Sequence, residues 1–211
     1  MKFSEYNIKR LGMMLVGVLI MGFAVTIYNK TLFGTDPYTC MVLGMTKLFG
    51  FSFGVTQLIL NCLIILLGVF FAKHFIGIGT LFNMVCIGFI ADFCTFIYDK
   101  FFPDPETLTV KIIMFVLIVI LHSFAGSIFF TAALGVGAYD ILGFLLHEKL
   151  KINYRWCRMT TDVICVIIGF SLGAVVGIGT LVTAFFMGPI IQFFTDHFSI
   201  PFLEKSSPSK S

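Results

Sequence analysis

The sequence predicts an all-α integral membrane protein with six transmembrane helices and two short re-entrant or interfacial helices, arranged as two inverted three-helix repeats. Three observations lead to this fold class: the composition, the lengths of the apolar stretches and an internal duplication. Of the 211 residues, 58% are hydrophobic and 12% are charged, whereas soluble domains carry about 25% charged residues. The composition therefore favours a chain embedded in a lipid bilayer over a soluble domain.

Six apolar stretches are long enough to cross a bilayer. A transmembrane helix needs about 20 mostly apolar residues, whereas a strand of an outer-membrane barrel needs about 10 residues of alternating character. The stretches are continuously apolar, and this favours helices. The predicted spans are Leu11–Tyr28, Phe53–Ala72, Phe75–Tyr98, Ile112–Leu134, Met159–Val176 and Ile178–Phe198.

Two further apolar segments, Pro37–Phe49 and Ala138–Leu150, contain only 13 residues each. At a rise of 1.5 Å per residue each helix reaches about 20 Å, which is less than the roughly 30 Å of the hydrocarbon core. We therefore predict re-entrant or interfacial helices for these two segments. If both crossed the membrane instead, the chain would have eight spans, and the sequence leaves this alternative open.

The basic residues predict the orientation, because cytoplasmic loops of membrane proteins are enriched in Lys and Arg. With the amino terminus inside, the six-span arrangement places ten of the 14 Lys and Arg residues in the cytoplasm. The eight-span arrangement would place twelve of them there. Both arrangements predict that the two termini and the basic loop His147–Arg158 are cytoplasmic.

An internal duplication divides the chain into two halves. Gly-Ile-Gly-Thr-Leu occurs at residues 77–81 and again at residues 177–181. At an offset of 101 residues, the aligned pairs include Gly34 with Gly135, Tyr38 with Tyr139, and Asn61 with Asp162. The predicted units are a first membrane repeat over residues 1–103, a second over residues 104–203, and a disordered cytoplasmic tail over residues 204–211.

The number of spans in each half sets the relation between the halves. Three spans are an odd number, so the second copy must enter the membrane from the opposite side. This gives an inverted repeat, an arrangement found in secondary transporters whose binding sites lie at the repeat interface. Four spans in each half would give parallel repeats instead.

The order of the motifs is similar to that of a known family. Gly34-Thr35-Asp36-Pro37-Tyr38 precedes the first Gly-Ile-Gly-Thr motif, and residues 133–140 (Ala-Leu-Gly-Val-Gly-Ala-Tyr-Asp) precede the second, which is followed by Gly188-Pro189. From about Gly12 to Phe194 the chain resembles the YczE/YitT-like bacterial multi-pass membrane proteins. The resemblance implies this fold and a location in the plasma (inner) membrane, but no substrate. That family usually has Gly-Pro-Arg-Asp at residues 137–140, and this chain lacks the arginine.

Polar side chains at membrane depth are the candidates for a solute-binding site, because they are costly to bury in lipid. The candidate residues are Asp36, Asn61, Asn83, Asp92, Asp140 and Asp162. Structural roles compete with binding for some of them. Asp36 followed by Pro37 is typical of a helix start, and Asp162 lies one turn after Arg158, where it could form an ion pair. Asp92 has no partner near it in the sequence.

Several other functions are disfavoured. The six cysteines are scattered, without a Cys-x-x-Cys motif or a His/Cys cluster, so we predict no metal site and no cofactor. The Gly-Ile-Gly-Thr motif lacks the lysine of a phosphate-binding loop. No dense basic block indicates nucleic acid, and no arrangement of Ser, His and Asp indicates an enzyme.

These observations predict a small-solute permease or exporter with a site at the repeat interface. Two alternatives stay open: a non-transporting membrane scaffold or sensor that docks a partner through the basic loop 147–158, and the substrate-binding subunit of a larger transporter. The expected partners are the lipid bilayer, an unknown small solute, and either a second copy of the chain or another membrane protein.

Overall fold

The computed structural model describes residues 2–71 and 73–204, which form helices and no strands. A short 3₁₀ turn over Lys73–Phe75 precedes α4, and a π-helical turn over Thr195–Ser199 joins α8 to α9. The α-helices are α1 Lys2–Thr31, α2 Pro37–Phe49, α3 Phe53–Phe71, α4 Ile78–Phe101, α5 Leu108–Ala132, α6 Asp140–Leu150, α7 Tyr154–Ser171, α8 Ile178–Phe194 and α9 Ile200–Glu204.

Five of these helical stretches in the described residues are long and apolar enough to cross a membrane. They are α1, α3, α4, α5 and the continuous stretch from Ile178 to Glu204. The predicted all-α membrane fold is therefore confirmed in its class. The predicted fifth span, which corresponds to α7, is not among the five. The first half of α7 carries Arg155, Arg158 and Asp162, and these charges lower its apolar character.

The predicted helix bounds agree best where a local signal marks the helix end. Helix α2 has the predicted bounds, because Asp36 caps its first turn and Gly50 ends it with a positive φ of 71°. The last span continues beyond Phe198 to Glu204, where buried Leu203 packs against the core beside α1. Glu204, which we expected to begin the tail, is therefore helical. The rest of the predicted tail, residues 205–211, and Ala72 lie outside the described residues.

Helices α1 and α5 pack along each other at the centre, with α4 against α1 and α8 against α5. The short helices cross between the halves, since α2 packs on α7 and α6 packs on both α3 and α7. Phe93 and Phe96 on α4, Phe170 on α7, and Phe185 and Phe186 on α8 are each more than half exposed. Large exposed apolar side chains mark surfaces that contact another apolar phase, here the lipid.

The turn after the first helix of each half contacts the Gly-Ile-Gly-Thr motif of the other half. The Gly79 N–H donates a hydrogen bond to the Leu134 carbonyl, and the Gly179 N–H donates one to the Phe33 carbonyl, both at 2.8 Å. The same backbone contact therefore occurs twice, at aligned positions.

Glycine is required in both of these turns. Gly34 and Gly135 have φ values of +97° and +125°, which other residues rarely adopt. A Cβ at Gly34 would collide with Oγ1 of Thr180, and a Cβ at Gly135 would collide with Oγ1 of Thr80. These two turns hold the halves together and bring the starts of α2 and α6 towards the centre.

Candidate functional site

A cavity of about 350 Å³ lies at the centre of the molecule. Side chains from every helix from α1 to α8 line it, including the first residues of α2 and α6. Its volume is within the roughly 300–1,000 Å³ that is typical of small-molecule sites. Size and position therefore make it the candidate binding site.

Aligned positions of the two halves face this cavity together. Eight pairs follow the offset of 101 residues and two follow the offset of 100. The pairs that line the cavity are Met21 with His122, Val25 with Gly126, Asp36 with Gly137, Pro37 with Ala138, Tyr38 with Tyr139, Thr39 with Asp140, Gln57 with Arg158, Asn61 with Asp162, Asn83 with Thr183, and Ile87 with Met187. The cavity is thus built twice from the same positions, and of these pairs the tyrosines alone have identical side chains.

Two stacked tyrosines lie where the halves meet. The rings of Tyr38 and Tyr139 are 4.7 Å apart between centroids and nearly parallel, at 14°. The Tyr38 hydroxyl donates a hydrogen bond to Oδ1 of Asn61 at 2.5 Å. In the other half the Tyr139 hydroxyl donates one to Oδ1 of Asp162 at 2.7 Å. The stack therefore connects a neutral acceptor on one side with a carboxylate on the other.

Arg158 organises the charges of the second half. Its guanidinium forms an ion pair with Asp140, its Nε lies 3.4 Å from Oδ1 of Asp162, and it lies over the Tyr139 ring at 4.4 Å. Asp162 is only 8% exposed, and a buried carboxylate is costly unless it is paired. The ion pair between Asp162 and Arg158, considered from the sequence, is present.

The first half has no guanidinium in the corresponding place. Gln57 occupies the position of Arg158, and it is 5% exposed. Its Oε1 atom accepts no hydrogen bond from any described residue, and the same holds for Nδ1 of His122 across the cavity. Asp36 accepts the backbone N–H of Thr39 at 3.0 Å, which confirms the predicted N-cap. The ion pairs found among the described residues do not include Asp36.

Five of the six candidate residues line the cavity: Asp36, Asn61, Asn83, Asp140 and Asp162. The sixth, Asp92, is not among the lining residues. Its Oδ2 accepts the backbone N–H of Gly54 at 2.9 Å, at the start of α3. Asp92 therefore has a structural partner that is distant in sequence.

Sequence reasoning did not select three residues that the cavity contains: Tyr38, Tyr139 and Arg158. The sequence does indicate Gln57 and His122 as polar residues suited to line a path, and both line the cavity. The signal that could have found the other three is the offset of 101 residues, which pairs Tyr38 with Tyr139 and Gln57 with Arg158. No group of three or more His, Cys, Asp or Glu side chains suited to a metal ion occurs among the described residues.

Comparisons with known proteins agree with the resemblance seen in the motifs. The chain is 32% identical over 176 residues to the uncharacterized membrane protein YczE of Bacillus subtilis, covering 83% of this chain and 80% of that one. It is 25% identical over 186 residues to an uncharacterized protein of Haemophilus influenzae, covering 88% and 83% of the two chains. No solved structure matches the chain significantly.

A family model described as a family of unknown function, DUF6198, matches residues 8–196. This range includes every residue that lines the cavity, and the relative from Bacillus subtilis is a membrane protein by name. The expected relation to the YczE-like membrane proteins is thereby confirmed: the chain belongs to the family DUF6198 and is a relative of the membrane protein YczE.

Proposed function

We propose that the protein is a small-solute permease of the plasma membrane, with its binding site in the central cavity. The observation that carries this proposal is the lining of the cavity by aligned residues of both halves. Secondary transporters bind their solutes at the interface between two repeats, near the middle of the membrane. The same relation between duplication and cavity is present here.

The short helices support the proposal in a second way. The first residues of α2 and α6 line the cavity, so the amino-terminal ends of two interrupted helices face the same space. Asp36 caps α2, and the first N–H groups of α6 bond to the carbonyls of residues 137–139. The polarity of these ends at membrane depth therefore comes from the helix dipole. In transporters, interrupted helices commonly supply the groups that hold the solute.

The proposed topology has six spans with both termini in the cytoplasm. It assigns the sixth crossing to α7, whose charged first half turns Arg158 and Asp162 into the cavity rather than towards lipid. Three crossings in each half then make the repeats inverted. In this topology α2 and α6 enter from opposite sides, and the Tyr38–Tyr139 stack lies on the approximate two-fold axis.

Accessibility of the cavity from both membrane faces tests the proposal and does not require the solute to be identified. A single cysteine, Ala184→Cys, would be placed in the cavity wall in a background where the six native cysteines are replaced by alanine. Membrane-impermeant thiol reagents would be applied to right-side-out and inside-out vesicles. We expect labelling of Ala184→Cys from both sides, because a permease alternately opens its site to each face.

Val116→Cys serves as the matched control, because Val116 lies on α5 at an exposed apolar position that we assign to lipid. This cysteine should stay unlabelled by charged reagents from either side. Labelling of Ala184→Cys from one side only, or from neither, would contradict a permease.

The two alternatives receive less support from the contacts. In the loop 147–158, Glu148 pairs with His74 at 2.8 Å, and the Lys149 ammonium lies 3.5 Å from the centroid of the Phe71 ring. Arg158 is turned into the cavity. Part of this loop is therefore engaged within the fold rather than presented to a partner. A requirement for a partner ATPase in a flux experiment would favour the subunit alternative, and the proposal assigns no catalytic step to the chain.

A further inference from the structure

We propose that the solute held in the central cavity is a small organic ammonium, a cation that donates N–H hydrogen bonds. This inference rests on the proposed function, which it deepens by naming the chemical class of the solute. Three independent properties of the cavity lead to it: its charge balance, its unpaired acceptor atoms and its aromatic walls.

The charge balance of the cavity is negative. Three carboxylates, Asp36, Asp140 and Asp162, line it together with one guanidinium, Arg158. Arg158 already pairs with both carboxylates of the second half. Asp36 stands outside the ion pairs found among the described residues, and its Oδ1 accepts the Thr39 N–H at the start of α2. The amino-terminal ends of α2 and α6 add about +0.5 charge each, which still leaves the cavity net negative. A cation gains from this arrangement, and an anion would be repelled.

The hydrogen-bonding capacity left open is also on the acceptor side. Oε1 of Gln57 is a buried acceptor without a donor. Nδ1 of His122 has no partner, and it is an acceptor in the tautomer that carries the proton on Nε2. Leaving a buried polar atom unpaired costs about 1–3 kcal/mol, so a bound donor would be favoured. An ammonium group carries up to three N–H donors and no acceptor. It complements Asp36 and these two atoms better than a carboxylate or phosphate would.

The remaining walls are apolar and aromatic. Phe129, Phe130, Met21 and Met187 line the cavity together with the two stacked tyrosines. Aromatic rings attract cations through their negative faces, and they also bury a short alkyl chain. A volume of about 350 Å³ suits a short alkylamine better than a large lipophilic cation. The combined chemistry is that of a small amine with a few carbon atoms.

Binding of four matched probes to the purified full-length protein tests this inference. The probes are butylammonium, tetramethylammonium, butan-1-ol and butyrate, each measured by thermal shift and by isothermal titration calorimetry in detergent. We expect butylammonium to raise the unfolding temperature saturably, tetramethylammonium to bind more weakly for lack of N–H groups, and the other two to have no effect. Binding of butyrate or butan-1-ol as tight as that of butylammonium, or no binding of butylammonium, would overturn the inference.

The variant Asp36→Asn tests whether the ammonium binds where we propose. Asparagine caps a helix about as well as aspartate does, so α2 should stay folded while the charge is lost. We expect the affinity for butylammonium to fall at least about tenfold, which corresponds to roughly 1.4 kcal/mol. The control is Asp92→Asn, the same chemical change at a carboxylate outside the cavity, which should leave the affinity unchanged. Equal losses in both variants would overturn the assignment of Asp36.

The two proposals can fail separately. Saturable butylammonium binding that depends on Asp36, together with one-sided labelling of Ala184→Cys, would support the ammonium site and reject the permease. Two-sided labelling without butylammonium binding would support the permease and reject the ammonium.

Discussion

At aligned positions the first half of the cavity carries Gln57 and Asn61, whereas the second half carries Arg158 and Asp162. Each half uses its tyrosine in the same way, with the hydroxyl donating to the residue four positions after the Gln or Arg. The wall formed by α3 is therefore neutral, with Asp36 at the start of α2 as the charge of the first half, and the wall formed by α7 holds an ion pair.

This difference distinguishes the residues that hold the two halves together from the residues that form the binding site. The contacts that join the halves through Gly34, Gly135 and the two Gly-Ile-Gly-Thr motifs occur in both copies with the same geometry. The polar positions inside the cavity differ between the copies. Solute recognition needs a unique arrangement of groups, and two identical walls would offer the same group twice. We therefore expect mutations of the scaffold to act equally in both halves and mutations of the site to act unequally.

The largest loss of stability is expected when the charged wall of the cavity, formed by Asp140, Arg158 and Asp162, loses the Arg158 guanidinium. Arg158→Gln copies the residue of the neutral wall and leaves Asp140 and Asp162 without their cation. Breaking a buried ion pair costs about 3–5 kcal/mol, and partial exposure of Arg158 lowers this towards about 3 kcal/mol. The free energy of unfolding, measured by circular dichroism in mixed detergent micelles, should fall by that amount.

A triple variant shows whether the stranded carboxylates cause this loss. Arg158→Gln combined with Asp140→Thr and Asp162→Asn converts the charged wall into a copy of Thr39, Gln57 and Asn61. We expect it to regain more than half of the lost stability, because no unpaired charge stays buried. A triple variant as unstable as the single one would show that Arg158 acts through packing rather than charge.

The second effect concerns the scaffold and should be equal in the two halves. Gly34→Ala and Gly135→Ala each force a side chain into a positive-φ conformation and into a threonine hydroxyl. Strain of this kind costs about 1–3 kcal/mol, and we expect about 2 kcal/mol for each variant in the same unfolding assay. Gly12→Ala is the control, since a Cβ there meets no atom within 4 Å. A difference between the halves above about 1 kcal/mol, well beyond ordinary additivity errors, would contradict a duplicated scaffold.

The third prediction compares how much the two tyrosine hydroxyls contribute to the free energy of unfolding. Tyr139→Phe removes a hydrogen bond to a carboxylate, and Tyr38→Phe removes one to a neutral amide. Interhelical hydrogen bonds in membrane proteins average about 0.6 kcal/mol, and those to charged groups are worth about 1.5 kcal/mol or more. We expect losses of stability near these two values. Tyr98→Phe, whose hydroxyl reaches only the Pro103 carbonyl at 3.3 Å, serves as the control. A larger loss for Tyr38→Phe would reverse the proposed contrast.

The sequence predicted those parts of the fold that depend on local signals. The start of α2 follows from the Asp36-Pro37 pair, and its end from Gly50, whose backbone conformation favours glycine. Helix α8 begins at the predicted Ile178, directly after the first glycine of the second Gly-Ile-Gly-Thr motif, whereas α4 begins at Ile78, after the predicted start at Phe75 and at the same place in the first motif. Capping and φ preferences act within a few residues, so they can be read from a short stretch of chain.

The parts that the sequence did not predict depend on contacts between distant residues. Arg10 was assigned only to the cytoplasmic charge, yet its guanidinium donates to the carbonyls of Ala132 and Ala133 and so caps the end of α5. The offset of 101 residues pairs Gln57 with Arg158, but only the fold shows that both face one cavity. Depth along a helix also does not reveal which neighbour a side chain meets.

The variant Asp92→Asn has the smallest expected effect on stability. It tests whether a carboxylate that lies at membrane depth, but outside the cavity, takes part in binding. The Asp92 carboxylate accepts the Gly54 N–H at the start of α3, and the amide oxygen of asparagine can accept the same hydrogen bond. A carboxylate near a helix amino terminus contributes about 0.3–1 kcal/mol, so Asp92→Asn should lower the free energy of unfolding by about 0.5 kcal/mol. Butylammonium affinity and two-sided labelling of the cavity should both be unchanged. If Asp92→Asn abolished butylammonium binding or two-sided labelling while the protein stayed folded, a residue outside the cavity would be essential. The contrast between Gln57–Asn61 and Arg158–Asp162 would then not be sufficient to explain recognition.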